Sequence, residues 1–465
     1  MSEVRLKRVL LVTYCWPPDP SVGSLRPAKL ARSLSRQDWQ PIVITAGARY
    51  RGDHPADEGT IVVRTRAFAS PAAWYRAIKA GLYALLGRSR EFTESRLAWA
   101  PEKAPSAARE SIPARIKRTL LSLLHTPDDC LGWLPFAILA SLRAAWSRRV
   151  DGLVSTGPPF TAHLAAGVVK AICDVPWVAE FRDPWARSEQ KTTRSRIADA
   201  LDRWMESLVV RHADRVVCVT PAMTEAYRRL YPALPPGKWV TITNGFDAED
   251  FRGLEEVPRA PKFTLSYVGN FFYARSPESL LQAVAEMLRD GLLDRNDLAV
   301  RFIGACRYAG GRPVAEMIAA RGLAGVAEIL DTIPRPQALR EMVRSHVLVL
   351  LANEQRLQVP GKAYEYLAAG GHTLAIAEEG ATAQLIGQVP GSAVCGPADV
   401  AGMKRLIGRW YGELKGNPRR DPLPPAWEAD ALRPYEWKDL GRRYAMVLDE
   451  HPAEVDASCR VRTSP

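Results

Sequence analysis

The chain is 465 residues long, 47% hydrophobic and 25% charged, with a net charge of +12. That composition excludes a low-hydrophobicity disordered chain, and at roughly 100–200 residues per domain it suits two or three globular domains. The seven cysteines include no C-x-x-C pair, which argues against a zinc knuckle or a disulfide framework and fits a reducing, cytoplasmic compartment. The positive balance suits an anionic partner, whether nucleotide, phosphate-bearing substrate, nucleic acid or membrane surface, without choosing among them. No stretch reaches the ~18–20 apolar residues of a spanning helix.

In chain order, Val9–Tyr14 reads as a buried strand rather than the core of a signal peptide. Leu25–Leu34 has helical spacing. Pro41–Thr45, Ile61–Val63, Gly152–Ser155, Trp177–Phe181, Val216–Val219 and Trp239–Ile242 continue the strands, with helices between them. Apolar strands alternating with helices predict parallel sheets covered on both faces. Residues 67–150 break the alternation; they are basic and helix-rich and read as an insertion. Residues 252–262, with two prolines and five charges, read as a linker. Phe263–Val268, Ala299–Ile303, Val347–Leu351 and Thr373–Ala377 open a second series, with helices near 277–289, 337–344 and 362–369. The expected organisation is therefore a first domain over 1–250, a linker over 251–262, a second domain over 263–430, a helix over 434–450 and a disordered tail over 451–465.

Six motifs stand at strand ends, where open parallel sheets bind ligands. Trp16-Pro-Pro-Asp-Pro-Ser-Val-Gly-Ser-Leu-Arg26 follows the first strand. Gly23 would let a backbone approach a substrate there, although a plain proline-rich turn accounts for the same residues. Ser155-Thr-Gly-Pro-Pro-Phe-Thr-Ala-His163 places His163 in the first turn of a helix, as a cleft group or as a packed one. Glu180-Phe-Arg-Asp-Pro-Trp185 puts three charges at a strand end. Glu180, Arg182 and Asp183 there either bind a hydroxyl or form a structural ion pair. Thr243-Asn-Gly-Phe-Asp247 is a turn signal. Tyr267-Val-Gly-Asn270 with Arg275 pairs a close-approach glycine, Gly269, with a guanidinium suited to phosphate. In Gln358-Val-Pro-Gly-Lys-Ala-Tyr-Glu-Tyr-Leu-Ala-Ala-Gly370, Gly361 opens a helix. Lys362 and Glu365 then share one face, as a phosphate and ribose pair or as an exposed i,i+3 ion pair.

Together these blocks resemble the family-4 retaining glycosyltransferases of the GT-B fold, the type that builds bacterial cell-surface polysaccharides. The resemblance runs from about residue 7 to residue 450, apart from 67–150. It implies an α/β chain of two Rossmann-like, doubly wound parallel-sheet domains facing a cleft. The second domain would bind a nucleotide-diphosphate sugar through Gly269, Asn270, Arg275, Gly361, Lys362 and Glu365. The first would present Gly23, Arg26, Glu180, Arg182 and Asp183 to a hydroxyl acceptor, a lipid-linked or polysaccharide precursor. Lys362, Arg275, Asp183 and His163 become the catalytic candidates. The sequence departs from the family at one point. Of the two glutamates that flank seven residues in many members, the second matches Glu365, but the first falls on Leu357.

The chemistry implied is transfer with retention at the anomeric carbon, without bound metal or cofactor, in a site closed against water. A GT-B nucleotide-sugar epimerase and a non-catalytic nucleotide-sugar-binding protein are the alternatives. Nucleic acid is not expected, because no basic stripe interleaved with aromatics, zinc finger or helix-turn-helix is evident. Two basic amphipathic segments either pack their apolar faces on the domain core or make peripheral contact with an anionic membrane at its cytoplasmic face. One carries Tyr75, Leu82, Leu85 and Leu86 with Arg76 and Lys79; the other carries Ile116, Leu120, Leu123 and Leu124 with Arg115, Lys117 and Arg118.

Overall fold

The computed structural model describes residues 6–19, 21–47, 59–70, 73–75, 77–78, 80–81, 112–187, 195–271, 275–416 and 426–450. The chain divides into two compact units. Unit 1 takes residues 1–219, 227–242 and 441–465, and unit 2 takes 220–226 and 243–440.

In unit 1 the strands are β1 (Lys7–Val12), β2 (Trp39–Ala46), β3 (Ile61–Thr65), β4 (Gly152–Gly157), β5 (Trp177–Phe181), β6 (Arg215–Cys218) and β7 (Trp239–Thr241). They form one parallel sheet in the order β3-β2-β1-β4-β5-β6-β7. β4 and β5 are buried along their length and β1 from Val9 onward, with Ser155, Thr156 and Glu180 as buried polar residues among the apolar ones. The helices are α1 (Leu25–Ser35), α2 (Ile112–Leu124), α3 (Leu134–Arg148), α4 (Thr161–Cys173), α5 (Arg196–His212), α6 (Pro221–Leu230), which runs on from unit 2, and the last helix, described below. α3 packs on β1 and β2 and against α4; α4 adjoins α5, and α5 adjoins α2.

Part of the segment read as an insertion is integral to this layer. α3 is the crossover that carries the chain from β3 back across the sheet to β4. Trp133, fully buried, donates its indole N–H to Thr65 Oγ1 at 2.7 Å. Asp128 accepts from the Thr161 amide (2.9 Å) and hydroxyl (2.7 Å), and so caps the start of α4. The helix-rich composition obscured this, because a helix's pattern does not say which strands it connects.

In unit 2 the strands β8 (Phe263–Val268), β9 (Leu298–Ile303), β12 (Ala327–Leu330), β13 (Val347–Ala352), β14 (His372–Ala377) and β15 (Ser392–Cys395) form a second parallel sheet in the order β12-β9-β8-β13-β14-β15. β10 (Tyr308–Ala309) and β11 (Arg312–Pro313) make a small antiparallel pair. One face is covered by α7 (Glu278–Arg289), α8 (Val314–Ala320) and α12 (Val400–Gly416), around Met287, Phe302 and Trp410. The other is covered by α9 (Arg335–Arg344), α10 (Lys362–Ala368) and α11 (Ala381–Gly387), around Tyr364, Tyr366 and Leu350. The last helix, α13 (Trp437–Asp449), begins in unit 2 and continues from Gly441 as part of unit 1.

The stretch 252–262 is not a free linker. Val257 and Ala260 are buried, and the Arg259 guanidinium donates to the carbonyls of Val343, Ser345 and Gly370. Its prolines and charges resemble linker composition, but Arg259 is bonded within the unit while Arg252, Glu255, Glu256 and Lys262 are exposed.

Candidate functional site

Each sheet reverses its strand order once, between β1 and β4 in unit 1 and between β8 and β13 in unit 2. Such a reversal opens a crevice at the carboxyl ends of the two strands, since the following loops diverge to opposite faces. The motifs after β1, β4, β8 and β13 therefore border these two crevices.

In unit 2 the β8 exit is shaped by two glycines. Gly269 has φ +134° and Gly304 has φ +126°. A Cβ on Gly304 would lie 2.4 Å from the Gly269 carbonyl oxygen, and a Cβ on Gly269 would lie 3.1 Å from Lys362 Nζ. Only glycine allows both the backbone angle and the approach. Asn270 Oδ1 accepts from the Ala305 amide at 2.8 Å, while the Tyr267 hydroxyl donates to the Asn270 carbonyl at 2.7 Å. These contacts fix the exit loop.

Lys362, at the start of α10, reaches back over β8. Its ammonium lies 3.4 Å from the Tyr267 ring centroid and donates to the Val268 carbonyl at 3.3 Å. The Tyr366 hydroxyl occupies the same strand end, accepting from the Val268 amide at 2.7 Å and donating to its carbonyl at 2.9 Å. Burial, and then the Arg275 charge, push Lys362 far below the usual lysine range. Arg275 donates to Gln355 Oε1 at 3.4 Å, and its Nε is buried with no hydrogen-bond partner among the described residues. Two basic side chains thus converge here, and neither makes a salt bridge within the described residues.

Glu365 lies one turn along α10 but does not pair with Lys362. Arg335 Nη2 bridges Glu365 (2.8 Å) and Asp250 (2.6 Å). These two carboxylates raise the Arg335 pKa against the opposing effect of burial. Sequence reasoning found Lys362 and Glu365 but missed Arg335 and Asp250, which no local pattern joins. Gly361 is exposed beside Lys362. Leu357, at the departed position, has its carbonyl held by Thr220 Oγ1 at 2.6 Å.

In unit 1 the charges of the β5 exit turn inward. Glu180 is fully buried. Its Oε1 accepts from Arg26 Nη2 (2.8 Å) and Nε (3.1 Å), and its Oε2 accepts from Thr156 Oγ1 (2.6 Å). Arg26 also donates to the Ile242 carbonyl at 2.9 Å. Of the two readings of Glu180, this geometry is the ion pair. Arg182 donates to the carbonyls of Gly23 (2.7 Å) and Pro158, tying the loop after β1 to the loop after β4 across the crevice. Asp183 follows at the same exit, partly exposed.

His163 is fully buried, with Nδ1 2.7 Å from Ser155 Oγ, which also accepts from the Trp177 indole at 2.8 Å. Its ring stacks on Phe181 at 4.8 Å. Burial, with a smaller effect from Arg182, depresses its pKa to about 3. The imidazole is a neutral, packed group in this structure.

Two parallel α/β units matching solved glycosyltransferases define the GT-B class. Sucrose-phosphate synthase from Thermosynechococcus elongatus superposes with a TM-score of 0.58 at 14% identity, covering 96% of this chain and 98% of its own. Anabaena HepE in complex with UDP-glucose gives 0.58 at 14% identity, covering 96% and 100%. An α,α-trehalose-phosphate synthase (UDP-forming) from Burkholderia vietnamiensis gives 0.57 at 12%, also covering 96% and 100%. No curated protein matches the chain in sequence. Residues 24–245 match the family model of the glycosyl transferase 4-like domain.

Proposed function

We propose that the protein is a retaining glycosyltransferase that moves a sugar from a nucleotide-diphosphate sugar to the hydroxyl of a lipid-linked or polysaccharide precursor, at the cytoplasmic face of a membrane. The observation that carries this reading is the convergence of Lys362 and Arg275 at the unit 2 crevice, two basic side chains with no salt-bridge partner among the described residues. A diphosphate supplies the missing charge. The complex of Anabaena HepE with UDP-glucose supports a nucleotide-sugar donor.

In this reading Gly269, Asn270 and Gly361 form the backbone floor beneath the diphosphate, and Glu365, steadied by Arg335, faces the ribose hydroxyls. The acceptor oxygen bonds to the anomeric carbon on the face from which the diphosphate leaves, and its proton passes to the departing phosphate oxygen. Lys362 and Arg275 offset the charge that grows on that leaving group. Gly23, Arg182 and Asp183 border the acceptor-side crevice, with Arg26, Glu180 and His163 as its buried support. Leu357 replaces a carboxylate near the transferred sugar, so the sugar's recognition rests on other groups.

A thermal-shift screen against UDP-, GDP-, ADP- and TDP-sugars tests the donor class. A bound donor at 100 times its Kd stabilises by about 2.7 kcal/mol. No shift with any of them, together with no transfer or hydrolysis, would overturn the reading. Anomeric NMR of the product reports retention or inversion.

A further inference from the structure

All but two of the exposed large hydrophobic side chains among the described residues belong to unit 1, the exceptions being Leu292 and Tyr308. Within unit 1 they gather on helices that adjoin one another, α3 beside α4, α4 beside α5 and α5 beside α2. On α2, Ile112, Ile116 and Leu120 recur every four residues, and Ile112 is 76% exposed. On α5, Ile197, Leu201, Trp204 and Leu208 form one stripe at i, i+4, i+7 and i+11, with Trp204 59% exposed. Trp146 on α3, 64% exposed, and Ile172 on α4 continue the apolar surface. Isolated exposed hydrophobics are ordinary, but helix after helix turning a stripe outward is not.

The charges on the same helices are mostly positive. α2, α3 and α4 contain no Asp or Glu, while they carry Arg115, Lys117, Arg118, Arg143, Arg148 and Lys170. α5 contains three acids: Asp199 is partly exposed in its first turn, while Asp202 and Glu206 point inward, accepting from the Trp185 indole and from the hydroxyls of Tyr227 and Tyr231. Its outward positions include Arg196 and Arg203. Of these four helices the sequence suggested α2 alone, beside the segment of Tyr75, Leu82, Leu85 and Leu86. The structure leaves Leu123 and Leu124 of α2 half-buried and adds α3, α4 and α5 to the surface. Leu82, Leu85 and Leu86 of the other amphipathic segment, with Arg76 and Lys79, lie outside the described residues.

We propose that the outer face of helices α2 to α5 in unit 1 is a docking surface for a bilayer rich in anionic lipid. Two exposed tryptophans, aliphatic stripes and an excess of cations match the interfacial zone of such a membrane, where indole rings and amphipathic faces settle at the headgroup level. A second copy of the chain would bring like charges together on this face, and a nucleic acid would leave the aliphatic stripes unsatisfied. The surface lies outside the donor crevice of unit 2, and the inference does not depend on the transferase reading.

The test is flotation of the full chain with phosphatidylcholine vesicles, with and without phosphatidylglycerol. Wild type should float with the anionic vesicles, less with neutral ones and less at high salt. Ile197→Glu with Trp204→Glu, and separately Arg115→Glu with Lys117→Glu, should each lower the floated fraction by about tenfold. Leu292→Glu with Tyr308→Glu in unit 2 should float like wild type. Near-ultraviolet circular dichroism and the donor-induced thermal shift confirm that each variant folds. Wild type remaining at the bottom of the gradient overturns the proposal, as does a folded α5 variant that floats undiminished. Self-association in sedimentation velocity that these variants abolish, without vesicle binding, assigns the face to a second copy and overturns it too.

Discussion

The ammonium of Lys362 sits 3.4 Å from the centroid of the Tyr267 ring, held by a π face and a backbone carbonyl where a carboxylate would be the ordinary partner. Burial and Arg275 depress its pKa. An unfolded lysine binds its proton more tightly, so the folded state loses stability at neutral pH and regains it as pH rises toward the unfolded lysine value. Lys362→Met should therefore raise the melting temperature of the ligand-free protein. The same change should weaken nucleoside-diphosphate binding by about 10–100-fold, the range of a charge-assisted contact. Calorimetry and thermal denaturation on one preparation check both halves.

Diphosphate binding should draw a proton onto Lys362, because an anion restores the ammonium form. Affinity is then expected to fall as pH rises from the depressed free value toward that of the complex. Titration calorimetry in buffers of different ionisation enthalpy reads the proton uptake directly. Lys362→Met should abolish it.

Glu180 is held below the usual carboxylate range: burial alone would raise it, but Arg26 and Thr156 outweigh that. Its stabilising contribution is present above the unfolded glutamate pKa and lost as pH falls through the depressed one. Glu180→Ala leaves Arg26 buried and unpaired, and should cost about 3–5 kcal/mol in denaturant unfolding. Arg26→Met combined with Glu180→Leu should cost less than either charge removed alone.

His163, with a pKa of about 3, stays neutral across the working range. Its C2-proton NMR signal should not titrate between about pH 5 and 8, the span in which an ordinary histidine changes charge. If it titrates there, the group is solvated and open to an acid–base role.

Gly304→Ala should lower both stability and donor binding. Its φ of +126° and the 2.4 Å approach to the Gly269 carbonyl leave no room for a methyl group. Strain of this kind costs about 1–3 kcal/mol, readable as a reduced denaturation midpoint.

Turnover should persist in excess EDTA. Among the described residues no three His, Cys, Asp or Glu side chains gather to hold a metal ion, and in the proposed mechanism Lys362 and Arg275 offset the charge on the leaving group. Complete loss of activity, restored by Mg²⁺, would reassign that role.

The strands were legible wherever they lie at a sheet centre. Phe263–Val268 and Trp177–Phe181 appear with the bounds that their apolar runs predict. Ala327–Leu330 and Ser392–Cys395 went unseen, because edge strands are short and half-exposed and carry polar residues such as Glu328. Lys362 and Arg275 could be picked out because each stands at a strand or helix end in its own motif. The partners that decide what each candidate does could not. Arg335 is 30 residues from Glu365, and Arg26 is 154 from Glu180. Local periodicity carries no information at such separations.

The cap that Asp128 places on α4 joins residues only 33 apart, whereas Arg26 reaches across 154 residues to Glu180 and 216 to Ile242. Closing a longer loop costs more chain entropy, and contacts that are near in sequence form sooner. During synthesis the crossover is fastened to α4 well before Arg26 meets either of its partners. The buried ion pair is therefore the late latch of unit 1. A chain arrested before Glu180 carries a guanidinium committed to an interior that does not yet exist.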